Sequence, residues 1–158
     1  MTVFKLPFTA ISEAVYTALS DEHCDVGLSW FDSSVPIEEI YTNFKNQAEF
    51  AYGIFGASSA DCAIPAKNTV VWDADIQLEV YSNYKGRKVV AEKLEAVMNY
   101  FSDDNETGYN ALQRVLNDKG YALVEIIAED ININLPMYGD YGVWQSGGIR
   151  LKFRIHQL

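Results

Sequence analysis

Asp73 and Asp75 stand two residues apart in "NTVVWDADIQLEVYS". On a strand that spacing puts both carboxylates on one face, where they could hold a divalent cation or act as an acid–base pair. A metal enzyme built on them would draw a further acid from the C-terminal β-rich run, Glu125 or Glu129. No histidine or third acid lies at a helpful local spacing, however, and alternating acids are also the ordinary wet side of a strand. A second signal is "NYKGRK", where Lys85, Arg87 and Lys88 surround Gly86 as an alternating pattern gives way to a helical one. A glycine turn before a helix offers free backbone N–H groups to a phosphate. With one glycine it lacks G-x-x-x-x-G-K-[ST], and the alternative is a turn whose cations are solvated beside an acidic neighbour. His23 and His156 are lone residues, and adjacent side chains such as His23 and Cys24 diverge, which is poor geometry for a nucleophile and its base. No G-x-S-x-G is present, and the glycines of "GIFGAS" are too few and wrongly spaced for a dinucleotide fingerprint. Catalytic residues, a resident metal and a cofactor are therefore not expected.

The whole chain, residues 1–158, reads as one domain, long enough to bury roughly 70% of the surface its unfolded form would expose. Hydrophobic residues make up 49%, charged residues 22% and aromatics 13%, a globular balance rich in Tyr and Phe. A formal charge of -10 disfavours a grip on nucleic acid that works by releasing counterions from phosphates. Two cysteines in unlike contexts and two histidines give no zinc spacing. The opening "MTVFKLPFTAISEAVYTALS" fits neither a secretory signal nor a membrane span, so the expected setting is a reducing cytoplasm or a particle assembled in one, with no membrane contact.

Elements must position these residues. "TAISEAVYTALS" spaces Ile11, Val15, Ala18 and Leu19 as a helix, with Thr9 or Ser12 available as N-cap. From Asp21 to Gln47, Gly27, the Ser33–Ser34 pair and Pro36 punctuate short apolar clusters, which predicts a surface loop with a short turn. "FAYGIFG" reads as a short buried strand and "ASSADCAIPAKN" as a loop that projects from the body. In the next strand Ile76, Leu78 and Val80 alternate with Asp75, Gln77 and Glu79, giving one apolar and one wet face. Val90, Leu94, Val97 and Phe101 then recur as the apolar stripe of a covering helix, and "YNALQRVLNDKG" predicts a further short helix ending at Gly120. "YALVEIIAEDININL" is a β-rich run, "MYGDYGVWQSGG" a linker, and "IRLKFRIHQL" a half-wet strand. The order predicts an α+β domain: a mainly antiparallel sheet of four or more strands with two or three helices packed on one face.

One constellation stands out from plain surface. The row Arg150, Lys152, Arg154 is opposite in charge to the row Asp75, Gln77, Glu79, and strands carrying such rows pair either within one subunit or across two. Trp30, Phe31, Tyr138, Tyr141 and Trp144 read as aromatics on exposed loops, residue types enriched where proteins meet. Together these favour assembly over catalysis, with a partner-binding module that caps another protein through its aromatic loops as a further alternative.

The run from "FAYGIFG" through "VVWDADIQLEVYSNYKGRKVVAEKLEAVMNYF" to "GGIRLKFRIHQL" resembles the tail-completion, or tail-terminator, proteins of tailed bacteriophages. In that family an aromatic-rich strand precedes a hairpin strand ending in a "S-x-Y-x-G" turn and a helix, and the last strand reads like "R-F-x-I". Tyr52 and Gly56 stand near the first element, Ser82, Tyr84 and Gly86 in the second, and Arg150 with Phe153 in the last. The resemblance covers about two thirds of the chain; "NETGYNALQRVLNDKG" is an addition to the pattern. It implies a virion protein without a reaction of its own, forming a homo-oligomeric ring, a hexamer or dodecamer, at the head–tail junction. Its partners would be copies of itself, tail-tube and connector or portal-side proteins, with DNA passing through the lumen without specific binding. Asp73, Asp75, Glu79, Arg150, Lys152 and Arg154 would face a lumen or a subunit seam, and the five aromatics would meet partners.

Overall fold

A computed structural model describes residues 3–45, 47–66, 69–139 and 142–158, with the backbone alone for 64–66. Its elements run α1 (Phe8–Leu19), β1 (Ser29–Asp32), α2 (Ile37–Asn43), β2 (Ala51–Ala66), β3 (Thr69–Ser82), α3 (Lys88–Tyr100), α4 (Glu106–Asp118), β4 (Tyr121–Ile133), β5 (Met137–Gly139) and β6 (Gly142–Gln157). The strands form a 6-stranded sheet in the order β1-β2-β3-β6-β4, with β5 continuing along β6. Only β1 with β2 is parallel among the pairings described; the others are antiparallel. The α+β class and the mainly antiparallel sheet agree with the sequence reading.

Strict alternation makes β3 the centre of the sheet: every second residue from Val70 to Val80 is buried. Those side chains meet Ile149, Leu151, Phe153 and Ile155 of β6 and the apolar stripes of α1, α3 and α4 in one continuous core. We call this side the inner face. The buried stripes of α1 (Ile11, Val15, Ala18, Leu19) and α3 (Val90, Leu94, Val97) fall where helical periodicity put them. α1 is capped at Pro7 without a side-chain bond, so neither Thr9 nor Ser12 serves as its cap. α4 starts at Asn105, whose side chain accepts from the N–H groups of Thr107 and Gly108.

Three local expectations are corrected. The segment from Asp21 to Gln47 is more than a loop, since it carries β1 and α2. "ASSADCAIPA" does not project: small residues continue β2 to Ala66 along β3, with bulges between Phe55 and Ser58 and between Cys62 and Ile64. Part of the C-terminal linker is β5 and the start of β6. The short helix α2 lies on the outer face of the sheet, where Ile40, Phe44, Phe50, Tyr52 and Trp144 form a second, aromatic core. Tyr52 stacks on its cross-strand partner Tyr81 at 5.4 Å, and Phe44 on Phe50 at 4.6 Å. One face of the sheet thus carries three helices, and the other carries a short one at a single end.

Candidate subunit interface

The charged residues singled out in the sequence share the outer face, because each is one residue out of phase with the buried row of its strand. Register brings Asp73 opposite Arg154, Asp75 opposite Lys152 and Gln77 opposite Arg150. On the far side of β6, Glu125 stands opposite Arg154 and Glu129 opposite Arg150. A basic strand is therefore flanked by two acidic ones. Arg154 grips Asp73 with two hydrogen bonds of 2.8 and 3.0 Å, and Arg150 reaches Asp130 at 2.9 Å. Lys152 lies 4.0 Å from Glu129. The three cations of β6 thus find acids within one subunit, Asp73 on β3 and Glu129 and Asp130 on β4, while Asp75 and Glu79 meet no cation in the described contacts.

The remaining acids are also engaged. Asp75 accepts from the Ser59 hydroxyl at 2.7 Å, and Glu79 accepts from the Tyr81 hydroxyl at 2.9 Å. The guanidinium of Arg154 holds the Asp73 carboxyl below its ordinary range, its hydrogen bond outweighing the opposing effect of partial burial. Burial, and next the hydrogen bond to the Glu79 carboxylate, push the Tyr81 phenol upward; Tyr52 is pushed up to about 12 by burial and the nearby Tyr41. Among the described residues no three His, Cys, Asp or Glu side chains come together as a cage for a metal ion. Nor is any described helix long and apolar enough to cross a membrane. At the joint before α3, Gly86 takes a left-handed φ of 85°, which lets the chain turn out of β3, while Lys88 approaches Glu92 at 3.9 Å across one helical turn.

The aromatics divide. Trp30 is only 9% exposed: its indole stacks on Phe55 and lies over Gly53. Trp144 is buried against Tyr41, Phe50 and Tyr52, so both tryptophans are strand residues that face the interior and not loop tips. Phe31 is half-buried on β1 against Phe44 and Tyr52. Tyr138 is 82% exposed on β5, and Tyr141 lies outside the described residues. Near Tyr138, Leu135 is 77% exposed, and Met137 and Val143 are also exposed. These residues form an apolar arm beyond the end of β3, since β3 pairs with β6 only as far as Ser82 and Gln145 while Met137 pairs with Trp144.

At the opposite edge of the sheet, β1 has a free side. A groove of about 540 Å³ runs along it between the end of α1 and the end of α2, lined by Tyr16, Leu28, Trp30, Phe31, Asn43 and Phe44 among others. Sequence reasoning named Tyr138 of the arm and Trp30 and Phe31 of the groove as partner-contacting aromatics but placed them on loops and did not see the two surfaces, for β1 is 4 residues long and the arm looked like a linker.

No protein-family model matches the sequence, and no curated protein does. A solved structure does. The chain has the fold of a chain in the virion of a native gene transfer agent particle. The two superpose with a TM-score of 0.56 over 97% of this chain and 99% of the other, at 16% sequence identity. Likeness at that identity is one of fold, and it extends over both chains nearly end to end.

Proposed function

We propose that the protein is a structural component of a phage-like virion, a ring-forming tail terminator or tail-completion subunit at the head–tail junction. The observation that carries this reading is the shared fold with a chain of a gene transfer agent virion over nearly all of both molecules. The strand, turn and helix pattern around Ser82, Tyr84 and Gly86 supports it independently. The reading assigns the protein no reaction; its work is to join copies of itself, tail tube and connector while DNA passes through.

A charge of -10 suits such a ring, because an acidic bore repels phosphates and leaves DNA free to slide. The outer face contributes to that excess: Asp61, Asp73, Asp75, Glu79, Glu125, Glu129 and Asp130 outnumber Arg150, Lys152 and Arg154. In this reading Asp75 and Glu79, which no cation neutralises in the described contacts, turn toward the lumen, and the paired Asp73, Arg154, Arg150 and Lys152 stiffen the sheet beneath it.

Native mass measurement tests the assembly. A hexamer or dodecamer, or a monomer that closes into rings on a tail tube, is expected; a lasting compact dimer that ignores tubes contradicts the reading. Reversing the charge of Asp75 and Glu79 together tests the lumen: DNA retention in particles should change. Unchanged assembly and unchanged retention would remove these residues from the bore.

A further inference from the structure

We propose that the apolar arm of one copy, centred on Leu135, Met137 and Tyr138, seats along the open β1 edge of the next copy and forms the seam of the ring. This rests on the ring reading and names the contact that closes it. From Ile131 to Gly139 no residue is charged, in a chain where 22% of residues are. The groove beside β1 matches it, since none of its lining residues is charged. Copies that each carry -10 repel one another over most of their surfaces, and joining two uncharged patches desolvates no ion.

Both partners offer unpaired strand edges. Among the described residues β1 pairs with β2 on one side only, and β5 with β6 on one side only. An extended segment laid beside β1 would add a strand, with backbone bonds for affinity and side-chain pockets for selectivity.

Geometry favours a ring over a dimer. The arm and the groove lie at opposite ends of the strand order, so each copy presents one of each, and the contact repeats head to tail instead of closing on itself. They also lie at the same end of the strands. Ser29 is in register with Tyr52, Tyr81 and Ser146, and the Met137–Trp144 pair stands two residues further along β6. The offset is about 7 Å along the strand axis, so successive copies climb little and the chain of contacts can close.

The test compares wild type with Leu135→Asp/Tyr138→Asp by native mass spectrometry and binding to tail tubes from the same particle. Both side chains are largely solvent-exposed, so the monomer should fold, as circular dichroism will report. Association should weaken at least about tenfold, whereas Arg114→Asp, an equal change of net charge outside both surfaces, should leave it unaltered. A second variant removes dependence on that comparison: Asn43→Cys/Tyr138→Cys in a Cys24→Ser/Cys62→Ser background should give, on oxidation, a ladder of covalent oligomers ending at the ring size. Rings that survive the double aspartate, or that form without a ladder, overturn the arm-in-groove seam and leave the ring reading standing. Intact rings that lose tube binding would give the arm to the tube protein and equally overturn the seam. A wild type that never closes, alone or on tubes, defeats both.

Discussion

Ile76, Leu78 and Val80 lie one residue out of step with Asp75, Gln77 and Glu79 on the same strand, yet the two rows live in different physical worlds. The inner row is sealed beneath three helices, where close packing leaves no room for another shape. The outer row keeps partial access to water, and its acids are tied to neighbours by hydrogen bonds or ion pairs. Because the outer cations are spent on acids inside the subunit and the acids left over would repel a like face, that face is a poor candidate for the main adhesive surface between copies. What remains for adhesion are the places where strands and apolar side chains lack partners, namely the two sheet edges and the arm.

The sharpest way to break this contrast is to remove one residue from each face of β6. Phe153 is 0% exposed, and Phe153→Ala should cost about 3–5 kcal/mol by leaving a cavity that the helices above cannot fill. Lys152→Ala, its neighbour on the outer face, should stay within about 0.5 kcal/mol. Urea unfolding of both variants reads the difference, and comparable losses would mean that the outer ladder is as structural as the core.

How much of this was legible before the structure follows from the same contrast. β3 and the C-terminal half of β6 announce themselves, because a strand with one dry and one wet face must alternate, and the α1 and α3 stripes are equally plain. The outer charges were legible as rows. Whether those rows meet inside a subunit depends on register, which sequence spacing does not carry: nothing local says that Asp73 faces Arg154 across a gap of 81 positions. β2 was unreadable past Gly56, because "ASSADCAIPA" is made of small and polar residues whose strand state is imposed by pairing with β3. Trp30 and Trp144 misled for a different reason. Tryptophan suits a protein surface and a core alike, and what decides for Trp30 is the register that lays it over Gly53, which spacing does not carry.

Gly53 sharpens that last point. A Cβ at this position would come within 2.3 Å of the Trp30 ring. Gly53→Ala should therefore lift the indole from its stacking on Phe55 and cost about 1–3 kcal/mol. Near-ultraviolet circular dichroism of the tryptophans should weaken alongside the loss in urea midpoint. A variant with an unchanged spectrum and midpoint would show that the inner face yields at its β1 edge, unlike its centre. The same variant bears on assembly, since Trp30 lines the groove beside β1 and a displaced ring would alter it.

The smallest effect expected is on the outer face, at Asp73→Asn. Arg154 depresses the Asp73 carboxyl pKa in the folded state, while the unfolded chain keeps the ordinary value of about 3.9. A lowered folded value means that the folded protein binds the proton less readily than the unfolded one. The pair therefore adds stability in full above about pH 5, loses it progressively as pH falls past about 4, and gives none once both states are protonated. Half of the Arg154 side chain is exposed, so solvent screens the attraction and the gain is slight. Wild type should exceed Asp73→Asn in urea midpoint at pH 7, by less than the loss from Gly53→Ala, and the two should converge as pH falls below the depressed folded value. A gap that persists unchanged into acid would assign the effect to packing around Asp73 and not to its charge, and the outer face would then resemble the inner one more closely than its exposure suggests.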